Sequence, residues 1–234
     1  ILYYAVTTNN TAPDASLYTT SIPAKTDAGT YYVWYYVKGD GNHNDTLPDH
    51  VPVKVAQAEI TITAAGGEWT YDGKAHTNTG VTVTAGKLMT GDTLVATASG
   101  SVTNVADTMQ GNNPVAEGWK ILRGETDVST NYAVTPVAGT LTITKAEATV
   151  TAENKTKVYD NDAATDPALT AVVTGAVDGD KINYSLGRTA GQDAKEYTST
   201  VTAGENPNYT VKGTNAVFTI TKAEATVTAE NKRS

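Results

Sequence analysis

A fourteen-residue segment occurs twice in the chain without a single change. It runs from Thr142 to Lys155 and again from Thr219 to Lys232, an offset of 77 residues. A looser copy of residues 146–151 of this segment lies at Ala58 to Thr63, an offset of 88 residues. Because fourteen identical residues do not recur by chance, the chain is predicted to be a tandem array.

Shorter landmarks keep the same two offsets and divide the chain. Three dipeptides recur in order: Tyr71-Asp72 as Tyr159-Asp160, Gly91-Asp92 as Gly179-Asp180, and Asn131-Tyr132 as Asn208-Tyr209. Division at the Ala-Glu dipeptides predicts four segments: a partial repeat at 1–57 (the C-terminal part of a domain), complete repeats at 58–145 and 146–222, and the start of another at 223–234. The chain is therefore expected to be a fragment of a longer protein. These segments are called the first to fourth repeats below.

Composition and strand spacing predict an all-β fold. The chain has 42 Thr and 24 Val, and β-branched residues favour a pleated surface over a helix. Strand patterns recur every 8 to 12 residues between turn-forming residues. Periods of 77 and 88 residues suit small domains rather than solenoid units. Since no Gly/Ser-rich linker separates the repeats, we expect an extended rod of tandem domains.

One motif narrows the type of domain. Asp27-Ala28-Gly29-Thr30-Tyr31 resembles the tyrosine corner of immunoglobulin-like sandwiches, with Val33 at the position of the usual cysteine. Asp193 to Tyr197 is a weaker version of it. We expect Ig-like β-sandwiches, with a β-grasp-like topology as the alternative.

The landmarks together resemble a known family. The third repeat carries Lys157-Val158-Tyr159-Asp160, Gly179-Asp180, Asn206-Pro207-Asn208-Tyr209 and Phe218-Thr219-Ile220-Thr221, and the second repeat has matching residues. These are similar to the MBG-type (mucin-binding-glycoprotein-like) repeats of bacterial cell-surface proteins and adhesins. The resemblance implies an extracellular array that is anchored to the cell wall through regions outside this fragment. One departure is Asn161, which stands where a glycine usually follows Tyr-Asp.

Several function classes find no support in the sequence. Zero cysteines exclude disulfides, thiol nucleophiles and cysteine-ligated metals. The three histidines lie in polar, turn-like segments, and no nucleophile elbow, phosphate loop or zinc-protease motif occurs, so an enzyme is not expected. A net charge of −8 argues against nucleic-acid binding. No segment is long and apolar enough to enter a membrane.

Two acidic loops are candidates for a calcium site. One contains Asp40, Asn42 and Asn44, and the other contains Asp160, Asp162 and Asp166. Both place oxygen ligands at alternate positions, as calcium loops do. Val51 stands where the closing glutamate of a complete loop would be. The alternative is that these residues form turns that bond their own backbone. No other cofactor is expected.

An aromatic row is the candidate ligand-binding site. Tyr32, Trp34 and Tyr36 alternate along one strand and therefore share a face. If exposed, such a row would stack on sugar rings; the alternative is that it belongs to the core.

The leading function is a structural stalk that projects an adhesive region from the cell wall. The alternative is that the repeats themselves bind mucin-type host glycans or an extracellular matrix protein. The protein is expected to be monomeric.

Overall fold

The computed structural model describes residues 1–230 of the chain. Strands take up 46% of the chain, and four three-residue 3-10 helices are the only helices in the part described. None of these helices has the length or apolar character of a membrane span. The predicted all-β class is confirmed. The residues group into two compact units.

The first unit comprises residues Ile1–Gly66, Asn78–Gly100 and Gln110–Thr140. Its strands are β1 (Leu2–Thr7), β2 (Gly29–Val37), β3 (Asp49–Val55), β4 (Ala58–Ala64), β6 (Val81–Ala85), β7 (Asp92–Val95), β8 (Lys120–Arg123), β9 (Thr126–Asp127) and β10 (Tyr132–Val137), with 3-10 helices at Ala15–Leu17 and Ser129–Asn131. They form three sheets with the strand orders β1-β2-β3, β10-β4-β6 and β7-β8-β9.

The second unit comprises residues Gly67–Thr77, Ser101–Met109 and the chain from Leu141 onward. Its strands are β5 (Gly67–Thr70), β11 (Leu141–Thr144), β12 (Ala146–Ala152), β13 (Lys155–Val158), β14 (Ala171–Thr174), β15 (Tyr184–Arg188), β16 (Glu196–Ala203), β17 (Tyr209–Thr214) and β18 (Ala216–Thr221), with 3-10 helices at Val105–Asp107 and Ala163–Thr165. The sheets are β11-β5, β14-β12-β17 and β13-β18-β16-β15.

The early and late strands of each complete repeat pair in parallel. In the second repeat β4 pairs with β10 and β5 with β11; in the third, β12 pairs with β17 and β13 with β18. The other ladders are antiparallel. Parallel pairing could not be predicted, because a period of two residues describes a strand but not its partner.

Alternate apolar residues build the cores. In β12, Ala148 and Val150 are buried, and in β18, Phe218 and Ile220 are buried. Burying a large apolar side chain such as Phe218 contributes about 1.5–3 kcal/mol to stability. Because neighbouring residues of a strand point to opposite faces, the threonines between these positions lie away from the core.

One residue, Lys145, separates β11 from β12. Before it, Leu141 and Ile143 are buried; after it, burial resumes at Ala146 and Ala148. Lys145 itself is exposed. The buried positions therefore change from odd to even numbers at Lys145, which is the change that lets a continuous chain serve two sheets.

The repeated segment shows that strand formation needs partners. In its first copy, residues 146–152 are β12, which pairs with β14 on one side and β17 on the other. In its second copy, residues 223–230 are exposed and form no strand, although the sequence is identical. Local propensity alone does not make this segment a strand.

The two predicted tyrosine corners are present, and the departure at Asn161 keeps the backbone conformation of a glycine. Tyr31 donates its hydroxyl hydrogen to the carbonyl oxygen of Asp27 at 2.8 Å, and Tyr197 donates to Asp193 O at 3.0 Å, as a tyrosine corner requires. Asn161 has a φ of 56°, and Gly73, its counterpart in the second repeat, has a φ of 75°. Asparagine tolerates this left-handed conformation better than most residues, so the departure at Asn161 preserves the turn.

Gly175 is predicted to be intolerant of a side chain. Its φ is 82°, and an added Cβ would lie 2.6 Å from the carbonyl oxygen of Glu147. Gly175→Ala is therefore expected to lower the free energy of unfolding by about 1–3 kcal/mol or more in chemical denaturation. Gly187→Ala is the control, because a Cβ there meets open space. Equal stability of the two variants would contradict this account.

Candidate functional site

The predicted aromatic row lies in a cluster rather than on an open surface. Trp34 is only 7% exposed, and its Nε1 donates to Thr7 Oγ1 at 2.9 Å. Tyr32 and Tyr36 are half-buried and pack against the same cluster. Tyr36 stacks on Tyr3 with ring centroids 5.4 Å apart. The three residues share one face, as the alternation predicts, and Trp34 offers almost no surface to a ligand.

The first acidic loop is organised by its own hydrogen bonds. Asp40 Oδ1 accepts from the backbone N–H of Asn42 and contacts His43 Nδ1, both at 2.8 Å. These bonds, the first above all, lower the pKa of Asp40. Asn42 and Asn44 are exposed. Asp40 therefore uses one carboxylate oxygen within its own turn, as the alternative interpretation of this loop predicts.

The second acidic loop surrounds an ammonium group of the protein itself. Lys157 Nζ lies 2.7 Å from Asp160 Oδ1 and 3.2 Å from Asp166 Oδ1, and its side chain is only 7% exposed. It also donates to the Asp162 carbonyl oxygen and to Thr165 Oγ1, both at 2.7 Å. All three predicted calcium ligands therefore contact Lys157, Asp162 through its backbone. Within residues 1–230, no group of three or more His, Asp or Glu side chains has an arrangement that could hold a metal ion.

Arg188 extends this cluster towards the tyrosine corner. Its Nε donates to Asp166 Oδ2 at 2.9 Å, and its Nη1 donates to the carbonyl oxygens of Thr189 and Gly191. The guanidinium lies 4.6 Å from the ring centroid of Phe218. Burial disfavours ionisation of Asp166, but the bonds from Arg188 and Lys157 outweigh it and lower the Asp166 pKa. The cluster thus fixes the loop that leads to Asp193.

The Gly-Asp and Asn-Tyr landmarks meet in both complete repeats. In the second repeat, Tyr132 donates its hydroxyl hydrogen to Asp92 Oδ2 at 2.6 Å and accepts from the backbone N–H of Met89 at 2.8 Å. In the third, Tyr209 donates to Asp180 Oδ2 and accepts from Val177 N–H at 2.9 Å. Burial and the bond to Asp180 raise the pKa of Tyr209 to about 12. The motif therefore has one geometry in both places.

The asparagine of the first Asn-Tyr landmark contacts the preceding repeat. Within the first unit, Asn131 Oδ1 accepts from the backbone N–H of Ala28 at 2.8 Å, and Asn131 Nδ2 donates to Asp27 Oδ1 at 2.8 Å. Arg123, which forms a bidentate pair with Asp92 at 2.7 and 3.1 Å, also reaches Asp27 at 3.5 Å. We call this arrangement the first joint.

The second unit contains the same arrangement. Asn208 Oδ1 accepts from the backbone N–H of Val105 at 3.0 Å, and Asn208 Nδ2 donates to Asn104 Oδ1 at 3.0 Å. Tyr71 donates its hydroxyl hydrogen to Asp180 Oδ2 at 3.0 Å, and its ring packs edge-on against Tyr209. We call this the second joint.

The two joints match atom for atom in their asparagine bonds. In each, the carboxamide oxygen accepts one backbone N–H, and the carboxamide nitrogen donates to the side chain one residue earlier. In each joint the asparagine lies the same number of residues after its partner loop. The sequence contains this equal spacing, but only the contact in the structure explains it. In the sequence, Asn131 and Asn208 stand out only as repeat landmarks, and nothing there marks them as functional residues.

Both units are all-β, and in each unit an asparagine of one sequence repeat bonds a loop of the preceding repeat. Residues 148–219 match the model of the MBG domain of the YGX type. The match supports an MBG-type domain in this part of the chain, in agreement with the resemblance that the sequence indicated. The match points to an adhesin-like repeat of a bacterial surface protein, from a domain family that is not catalytic. The chain matches none of the curated proteins.

Asp160 is predicted to make stability depend on acid pH. The bonds from Lys157, from the Thr165 hydroxyl and from Asp162 N–H lower its pKa from 3.8 to about 2. Because the pKa is lower in the folded chain, this contribution is complete above the unfolded pKa and is lost as the pH falls through the folded pKa. Asp160→Asn should therefore flatten the loss of stability between about pH 4 and pH 2, followed by circular dichroism in urea. Asp178→Asn, at an exposed position, is the control and should retain the wild-type slope.

The second joint is predicted to protect one amide proton. Asn208→Ala removes the acceptor of the Val105 N–H, so hydrogen exchange at Val105 should accelerate at least about tenfold in NMR measurements. Asn215→Ala is the matched control, because Asn215 Oδ1 also accepts a backbone N–H, that of Val201. In that variant Val105 should exchange as in the wild type. Unchanged exchange at Val105 in Asn208→Ala would show that the joint does not form in solution.

Proposed function

We propose that the chain is a structural spacer, a set of stalk repeats that projects an adhesive region of a bacterial cell-surface adhesin. The observation that carries this proposal is the recurrence of the asparagine joint in both units. A flexible linker to a binding domain would need no such joint. Two copies of it indicate that a fixed orientation between neighbouring repeats is the property that matters.

The connecting residues support a stiff joint. Gln57, between β3 and β4, donates to the carbonyl oxygens of Thr130 and Tyr132 at 3.0 and 3.2 Å. Lys145, between β11 and β12, donates to the Asn206 carbonyl oxygen at 3.4 Å. A hydrogen bond contributes about 0.5–1.5 kcal/mol on balance. Several of them acting with a connection of one or two residues would hold neighbouring repeats in one orientation.

The wider proposal follows from this role. The domains are Ig-like sandwiches in an extended, monomeric rod, outside the cell and anchored to the wall by other regions of the protein. The rod carries no catalytic site, needs no cofactor, and binds neither nucleic acid nor the membrane interior. What supports this is the MBG-type match and the joints.

Spin labels can test the stiffness directly. The chain has no cysteine, so Lys74→Cys and Glu205→Cys place two labels at exposed positions of the second unit. Pulsed electron spin resonance should give a narrow distance distribution. Adding Asn208→Ala should broaden it, whereas adding Asn215→Ala should not. A distribution that is equally broad with and without Asn208 would contradict the spacer proposal.

A second candidate function is glycan binding, and one observation favours it. A cleft of about 280 Å³ is lined by Tyr18, Tyr36, Lys38 and Asp45 among others. Tyr18 is 9% exposed, and its hydroxyl has no hydrogen-bond partner. Aromatic rings beside an ion pair, Lys38 with Asp45 at 2.8 Å, suit a sugar ring. The ligand class would be mucin-type host glycans, and an extracellular matrix protein is the other partner.

Glycan binding can be separated from the spacer role. A glycan array and a mucin pull-down with the whole chain should show saturable binding that Tyr36→Ala abolishes. Tyr35→Ala is the control, since Tyr35 lies on the opposite face of β2. Trp34→Ala is unsuitable because Trp34 is buried in the core of the cluster. Absence of binding, or equal binding by both variants, would remove this candidate.

A further inference from the structure

The third repeat contains the receiving half of a joint. In the first joint the receiving residues are Asp27 and Ala28, which start a tyrosine corner. In the third repeat the same corner starts at Asp193 and Ala194, because Tyr197 donates to the Asp193 carbonyl oxygen. The backbone there has the same bend before the strand begins. The two loops therefore offer the same groups, a carboxylate and the N–H of the following alanine.

These groups are free in the structure. Asp193 and Ala194 are both exposed, and within residues 1–230 the Asp193 carboxylate and the Ala194 N–H have no hydrogen-bond partner. At both existing joints the equivalent groups bond an asparagine carboxamide. The third loop thus has the donor and the acceptor but not the carboxamide.

Tyr159 supplies a second, independent part of the same half-joint. Tyr71 donates its hydroxyl to Asp180 in the second joint, and its N–H bonds the Thr144 carbonyl oxygen at 2.9 Å. Tyr159 makes the equivalent backbone bond to Thr221 at 2.8 Å. Its side chain is 40% exposed, and its hydroxyl has no partner in the described residues. The backbone therefore holds Tyr159 where Tyr71 is held, without the aspartate.

The two parts lie beside each other. Lys157 Nζ, two residues before Tyr159, is 3.5 Å from Oε1 of Gln192, the residue before Asp193. Arg188 fixes the intervening loop through Gly191 O at 2.9 Å. The Lys157 cluster, which the sequence suggested as a calcium site, thus supports a preformed surface.

We propose that Tyr159, Asp193 and Ala194 form a docking surface for another MBG-type repeat, which supplies the asparagine of its Asn-Tyr motif and the aspartate of its Gly-Asp motif. The asparagine carboxamide accepts from Ala194 N–H and donates to Asp193, and the aspartate accepts from the Tyr159 hydroxyl. The incoming repeat joins through the strand sequence that starts at Ala223, which is identical to β12. This inference rests on the proposed spacer function and names the partner of its third joint.

The test is a chain extended by one of its own repeats. Because residues 219–232 repeat residues 142–155, a copy of residues 156–222 placed directly after Lys232 completes a repeat without a foreign junction. Amide exchange at Ala194 is then compared by NMR in the 234-residue and extended chains. We expect it to slow at least about tenfold on extension. Replacing the added asparagine that corresponds to Asn208 by alanine should restore fast exchange.

Tyr159→Phe provides a second measurement. It should lower the thermal midpoint of the added repeat in the extended chain, because the aspartate loses a donor. It should leave the thermal midpoint of the 234-residue chain unchanged, because the Tyr159 hydroxyl has no partner among residues 1–230. This variant keeps the ring, so a loss of packing cannot produce the effect.

Several outcomes would overturn the proposal. Fast exchange at Ala194 in a folded extended chain would do so, as would slow exchange already present in the 234-residue chain. An added repeat that fails to fold would count against it too, since the joint should stabilise that repeat. None of these outcomes touches the spacer proposal, whose own readouts are Val105 exchange and the spin-label distances in the existing second joint.

Discussion

The hydrogen bonds of one asparagine carboxamide determine how the repeats of this chain are held together. A carboxamide presents an acceptor and a donor a short distance apart, and Asn131 and Asn208 use both on a loop of the preceding repeat. Aspartate would lose the donor, and serine would not reach. The tyrosine next to each asparagine is anchored by its own repeat through Asp92 or Asp180. Each Asn-Tyr pair therefore couples the interior of one repeat to the edge of its neighbour.

Much of the fold could be predicted from the sequence because it depends on local pattern. The Thr/Val content, the alternation in β12 and the tyrosine corner at Tyr31 all correspond to what the structure shows. The parallel pairing of β12 with β17 could not be predicted, since partner choice depends on contacts between distant residues. The role of Asn208 was hidden for the same reason: its partner, Val105, lies far away in the sequence.

The acidic loop of the third repeat shows how a ligand pattern can serve an internal charge. The sequence spacing predicted that Asp160, Asp162 and Asp166 would surround one cation. In the structure they do, and the cation is the ammonium group of Lys157. Lys157 lies only three residues before Asp160 in the sequence, but it is a cation and was not part of the ligand pattern. A lysine that can fold back on an acidic turn competes for the oxygens that a calcium loop would use. Arg188 adds a second internal cation to Asp166.

The identical segments at residues 142–155 and 219–232 have a consequence for heredity. A crossover between the coding sequences of the two copies would delete or duplicate one whole repeat. The amino-acid sequence on either side of the crossover would stay the same. The loop that receives an asparagine lies before the crossover point, and the asparagine that enters it lies after that point, so each new neighbour would arrive with a complete set of bonding groups. Such a crossover would change the number of repeats by one and would keep an asparagine after each receiving loop.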